Sequence, residues 1–192
     1  MHDRKQSIGA KTIVFPTPVF IVGSYGADGR PNLMTVAWGG ICSSDPPSIA
    51  ISVRAGRLSH ANILHSKAFT INIPNVDQVR QADFVGIYSG RDMDKFKETG
   101  LTPVRGDSVN APCVLEFPLC IECRLLHDFD LGAHTQFVGE IIDVLADKSV
   151  LDDKGGVDIA KVRPITFSPA DGGYYGIGSL IGSAFAIGKK PS

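Results

Sequence analysis

The residues best suited to chemistry fall in a few short stretches. Arg57-Leu58-Ser59-His60 joins a cation, a hydroxyl and an imidazole where a helix is expected to begin. An anionic group such as a phosphate needs fixed donors of this kind: a Lys or Arg, a hydroxyl and the bare N–H groups of a helix N-terminus. Ser59 serves equally well there as a plain helix cap. Lys95, in Ser89-Gly90-Arg91-Asp92-Met93-Asp94-Lys95-Phe96, is either the cation for such a site or one member of a solvated helical face. Trp38 is the single tryptophan. Its plain reading is a core aromatic, but Gly39 and Gly40 beside it would let backbone approach a ligand closely. His134 follows Gly132-Ala133 at a strand start, where an imidazole is structural or tunes local charge.

Several chemistries are excluded. No serine sits in a nucleophile elbow, and no carboxylate pair or zinc-ligand spacing stands out. The glycine-rich Gly172-Gly173-Tyr174-Tyr175-Gly176-Ile177-Gly178 lacks a preceding long strand and a surrounding βαβ unit, so it is no dinucleotide fingerprint. The four cysteines are Cys42, Cys113, Cys120 and Cys123. Cys120 and Cys123 lie in a strand-like stretch, where residues three apart face opposite sides and do not converge on a metal. In a cytoplasmic chain the four need not be disulfides; buried small residues are expected, and no metal. A formal net charge of −1 provides no footprint for nucleic acid or an anionic membrane. No apolar run reaches membrane-spanning length, and Met1–Gln6 lacks the apolar core of a secretory signal. A cytoplasmic location is expected.

The elements that must position these residues are mostly short strands. The 192 residues suit one domain, 1–192, with no repeat or linker. Strands are predicted at Val19–Tyr25, Asn32–Cys42, Ser48–Arg54, Ala68–Ile73, Cys113–Leu126, Thr135–Ala146 and Arg163–Phe167. Helices are predicted at Arg57–Ser66, Asn75–Tyr88 and Asp92–Thr99. Ser48–Arg54 alternates strictly: Ile49, Ile51 and Val53 face a core, while Ser48, Ala50, Ser52 and Arg54 form a small polar surface on which a ligand could lie. The two longest strands have apolar residues on both faces, as strands bending around a barrel do. Strict strand–helix alternation is missing, so a mainly β fold is expected: a closed or split antiparallel barrel with a few inserted α-helices.

The ordered blocks Asn32-Leu33-Met34-Thr35-Val36-Ala37-Trp38, Asp45-Pro46-Pro47 with Ile51-Ser52-Val53-Arg54, Ser59-His60-Ala61-Asn62-Ile63 and Gly86–Phe96 resemble the flavin reductase-like, FMN-binding split-barrel family, nearest its flavoredoxin branch. Gly100-Leu101-Thr102, Glu122-Cys123, His134 with Gly139-Glu140, and Tyr174-Tyr175 through Gly188-Lys189-Lys190 extend the match over nearly the whole chain. The resemblance implies a Greek-key split barrel acting as a homodimer, with one FMN per subunit. It implies flavin contacts from Asn32, Trp38, Ser59, Lys95, His134 and Phe167, and main-chain contacts from Ala37, Ser52, Val53 and Arg54. It also implies electron transfer through FMN, with NAD(P)H or a redox protein as donor. The alternatives are a flavoredoxin-type carrier that does not turn over NAD(P)H and a module that holds flavin without redox turnover.

Overall fold

The computed structural model describes residues 4–190. The strands are β1 (Thr17–Pro18), β2 (Phe20–Tyr25), β3 (Pro31–Val36), β4 (Gly39–Ser44), β5 (Pro47–Val53), β6 (Ala68–Ile73), β7 (Pro103–Arg105), β8 (Pro112–Val114), β9 (Leu119–Asp130), β10 (Thr135–Ala146), β11 (Ile165–Phe167) and β12 (Tyr174–Gly176). Four helices interrupt them: α1 (Leu58–Ser66), α2 (Val79–Ile87), α3 (Lys95–Thr99) and α4 (Ile159–Val162).

Seven strands hydrogen-bond in the order β3-β2-β6-β9-β10-β5-β4, every neighbouring pair antiparallel. The two edges of this sheet, β3 and β4, are separated in the chain only by Ala37 and Trp38. The three steps from Val36 to Gly39 span no more than about 11 Å, so the sheet must curl to bring its edges near each other. The result is a barrel split between β3 and β4. The single strand expected over Asn32–Cys42 is thus two strands that turn a corner at Ala37–Trp38.

The barrel interior is filled by Val22, Val36, Ile49, Ile51, Val53, Phe69, Ile71, Cys123 and Phe137, and α1 adds Ile63 to the same cluster. Gly139 of β10 has no room for more, because a Cβ there would lie 2.6 Å from the Phe69 ring. Register shifts at Val138/Gly139 and Ile141/Asp143 bend the long β9–β10 hairpin around the barrel. A second core lies outside, where Ile21 and Leu33 meet Ala82 and Val85 of α2, Phe96 of α3, and Val114. Adjacent residues of β2 and β3 therefore serve opposite cores, as period-two alternation requires.

Other expectations need correction. Ser48 and Ala50 are buried, so the polar face of β5 is open only at Ser52 and Arg54. The helix expected over Asn75–Tyr88 begins as a 3-10 turn, Val76–Gln78, held by an Asn75–Gln78 capping box. The strand expected over Cys113–Leu126 breaks at Leu115–Pro118. That break folds β8 back over the start of β9 and brings Cys113 and Cys120 to a Cα separation of 5.9 Å, where they form a disulfide. Cys123 is a buried free thiol and Cys42 an exposed one. Among the described residues no helix is long and apolar enough to cross a membrane.

The disulfide closes a loop between positions seven apart, worth about 2–3 kcal/mol by loop-closure entropy. Protein denatured without reductant should titrate as two thiols per chain, and as four after reduction. Cys113→Ser with Cys120→Ser should lower the free energy of urea unfolding by that amount.

Candidate functional site

The site grows from the place where β3, α1, α2 and α3 converge. Lys95 is the first residue of α3, whose N-cap Asp94 accepts the amides of Phe96 and Lys97. This start points the Lys95 side chain inward. The residue is only 5% exposed, and its Nζ donates to the carbonyl oxygens of Leu33 and Val85, each at 2.7 Å. Val85 lies in the last turn of α2, whose final carbonyls have no helical partner and carry the negative end of the helix dipole. The buried cation satisfies that helix end. Burial, and then the Arg57 guanidinium, push the Lys95 pKa down to about 8.

The ammonium faces a cavity of about 170 Å³ that is also lined by Asn32, Arg57, Ser59, Gly90 and Arg91. Its lining holds three cations and no carboxylate. Ser59 is not the cap of α1. Arg57 occupies that position without a side-chain cap bond, because the chain enters the helix two residues before Ser59. Ser59 is buried in the first turn, and its Oγ accepts from Asn32 Nδ2 at 2.8 Å. Asn32 Oδ1 is buried without a partner. Gly90 is pressed against it: a Cβ on Gly90 would stand 2.0 Å from that oxygen. Arg91 reaches back across the cavity to donate to the Gly56 carbonyl at 2.6 Å.

A second hollow, about 450 Å³, lies at the split of the barrel and is lined by Trp38, Ser52, Leu131, His134 and the segment Lys11–Val14. Trp38 is half-buried at the corner between the barrel edges, and its carbonyl accepts the Ser52 amide at 2.8 Å. Beyond the Ser52–Trp38 bond β5 is paired only with β10, through Val53 and Thr135, and the Arg54 carbonyl accepts the Arg57 amide at 3.0 Å. The side chain of Val53 is in the barrel core. The chain from Ser52 through Arg54 to Arg57 and Ser59 links the hollow to the cationic cavity.

The structure therefore brings together Asn32, Ser59 and Lys95 in one place and Trp38, Ser52 and His134 in the other, with Ala37, Val53 and Arg54 along the connection. Phe167 lines neither. It sits in β11 against Tyr174, with ring centroids 5.7 Å apart, and borders a separate hollow with Phe15 and Pro16. His60 turns away to Thr135 Oγ1 at 2.8 Å and packs edge-on to Phe137. Sequence reasoning missed Arg91 as a site residue, although it lies in the stretch that drew attention to Lys95, and it named Arg57 only as part of the helix start at Ser59. It also missed the Lys11–Val14 segment, which carries no motif.

The fold is thus a barrel split at one strand pair, with a cationic cavity beside α1 and an aromatic hollow at the split. The chain belongs to the flavin reductase like domain family, which matches residues 12–167. Flavoredoxin of Desulfovibrio vulgaris (Miyazaki F) superposes with a TM-score of 0.93 at 51% identity, over 96% of this chain and 100% of that one. A flavoredoxin from Methanosarcina acetivorans reaches 0.90 at 28% identity, over 96% and 97%. A ferric-chelate reductase (NAD(P)H) of Archaeoglobus fulgidus is 27% identical over 112 residues, 57% of this chain and 65% of its own length.

Because Lys95 satisfies two carbonyls, Lys95→Ala should destabilise the protein even without a ligand. A loss of about 1–3 kcal/mol in urea unfolding is expected from the unpartnered oxygens; a variant as stable as wild type would mean the ammonium contributes nothing to the fold.

Proposed function

We propose that the protein is an FMN-binding oxidoreductase in which the cationic cavity holds the flavin phosphate and the hollow at Trp38 and His134 receives the ring. The observation that carries this is the buried Lys95 ammonium facing a cavity with three cations and no carboxylate. Its Nζ has three donors; two go to Leu33 and Val85 and one is free for an anion. Ser59 Oγ and the guanidinium groups of Arg57 and Arg91 complete a donor set suited to phosphate. Asn32 Oδ1 is a buried acceptor without a donor, which suits a hydroxyl of a polyol chain. Main-chain groups of Ala37, Ser52, Val53 and Arg54 would line the cofactor.

Bound FMN would supply the redox chemistry, and these residues would bind, orient and shield it. His134 is the candidate for setting the charge near the ring. NAD(P)H or a redox protein would be the electron donor. A second reading, an electron carrier that does not turn over NAD(P)H, is favoured by the 51% identity to a flavoredoxin along that protein's whole length. A homodimer supports both readings. Ile41, Phe129 and Leu131 are exposed apolar residues on β4, β9 and the β9–β10 turn, and Leu131 also borders the ring hollow. Phe167, which lines neither hollow, would then reach flavin from the other protomer. The cytoplasm is the proposed location.

The protein should purify yellow or take up FMN with quenching of its fluorescence. Protonated Lys95 attracts phosphate and neutral Lys95 does not, so FMN affinity should fall as pH rises through about 8, with riboflavin affinity much less affected. No uptake of FMN would contradict the proposal. Stopped-flow mixing with NADH and NADPH then separates the readings: bleaching of the flavin band supports a reductase, and none with either supports the carrier. Light scattering should give twice the 20.5 kDa chain mass; a single-chain mass would remove the dimer.

A further inference from the structure

The Cys113–Cys120 disulfide lines neither the cationic cavity nor the ring hollow, yet the loop it closes is tied to both helices that hold Lys95. β7 and β8 form a separate two-stranded sheet. β8 is held to β6 by Asn72, whose Oδ1 accepts the Val114 amide at 2.9 Å, and by Thr70, whose hydroxyl donates to the Pro112 carbonyl. The disulfide adds a covalent tie from β8 to β9. Between the two cysteines, the Leu115 amide donates to the Thr102 carbonyl at 3.0 Å, and the Glu116 carboxylate accepts the Thr102 amide at 2.9 Å. Thr102 follows the Gly100 cap of α3. The Glu116 carbonyl accepts from Gln78 Nε2, and Gln78 completes the capping box just ahead of α2. Val114 and Phe117 pack in the outer core with Val85 of α2 and Phe96 of α3. The loop therefore braces α3, which begins at Lys95, and α2, which supplies the Val85 carbonyl bonded to its ammonium.

We infer that Cys113–Cys120 is a reversible thiol–disulfide modification site that sets flavin affinity through α2 and α3, with a small dithiol as its reductant. The inference rests on the proposed placement of the flavin phosphate beside Lys95. A thiolate of the dithiol attacks one cysteine sulfur, the S–S bond breaks, and a mixed disulfide forms. The second thiol of the reductant then displaces the bound cysteine. Two electrons and two protons pass to Cys113 and Cys120, which become thiols, and the reductant leaves as its own disulfide; oxidised FMN takes no part. The cysteines are 6% and 5% exposed, next to the exposed Leu115 and Glu116, so local opening of this loop admits a small reductant. Reduction returns conformational freedom to the loop. Its bonds to Thr102 and Gln78 weaken, and the two helices hold the ammonium less firmly. In the proposed cytoplasmic location disulfides are rare, and those present are usually transient and either catalytic or redox-sensing.

The test compares three forms of the full chain: oxidised, reduced with dithiothreitol and freed of excess reductant without air, and Cys113→Ser with Cys120→Ser. Each is titrated with FMN and with riboflavin by flavin fluorescence, and native-state hydrogen exchange is followed without flavin. The reduced protein and the double variant should both bind FMN about fivefold more weakly than the oxidised protein, the worth of one loosened hydrogen bond. Riboflavin, which has no phosphate to reach Lys95, should change much less. Amides of α3 and Thr102 should exchange about tenfold faster after reduction while the barrel strands keep their protection. Reoxidation should restore both, and the double variant should ignore dithiothreitol. Equal FMN affinity in the oxidised and reduced forms would overturn the inference while leaving the phosphate site standing. So would unchanged exchange at α3, equal shifts for FMN and riboflavin, or protection lost across the whole chain at once, each of which makes the disulfide a general staple. Failure of the oxidised protein to bind FMN would instead overturn the parent reading, and this inference with it.

Discussion

A charged ammonium buried without a carboxylate is the constraint around which the site is built. Taking an ion out of water costs several kcal/mol even after a protein relaxes around it, and Lys95 recovers this from two backbone carbonyls and the negative end of α2. None of those partners carries a full negative charge, so the cavity keeps a net positive potential available to an anionic ligand. A salt-bridging Asp or Glu would have stabilised the lysine and destroyed the site. The arrangement also explains why β3, α2 and α3 meet where they do: Leu33, Val85 and Lys95 each contribute one polar group to a single point, and Phe96 seals the outer core beneath it.

The barrel supplies the second half. Two residues separate its opposite edges, so curling is imposed by connectivity, and the split falls between β3 and β4. Trp38 is held at that corner by its position between β3 and β4 and by the Ser52 amide, which its carbonyl accepts. The seven-stranded sheet thus provides a rigid frame, and the chain passes directly from the end of β5 through Arg54 to α1 and the cationic cavity.

Much of this was legible in the residues. The alternation in Ala68–Ile73 and the length of Thr135–Ala146 predicted β6 and β10 with their observed bounds, because long, periodic stretches are governed by local pattern. The ordered blocks pointed to the family and brought Lys95 and Ser59 into the site. Contacts distant in sequence were not legible. Pattern alone left Lys95 a solvated charge, since nothing near it in the chain announces the carbonyls of Leu33 and Val85. Cys113 and Cys120 were assigned to one continuous strand, and only the break at Leu115–Pro118 lets them pair. The corner at Ala37–Trp38 was hidden for a similar reason: its cause is closure of the whole sheet, not a local turn former.

The central claim, that Lys95 and its cavity receive a flavin phosphate, is tested most directly by a crystal structure of the protein with FMN. The account predicts phosphate oxygens within hydrogen-bond distance of Lys95 Nζ and Ser59 Oγ, with the ring beside Trp38. A well-ordered FMN whose phosphate lies outside this cavity, with the ammonium touching only the carbonyls of Leu33 and Val85, would contradict it.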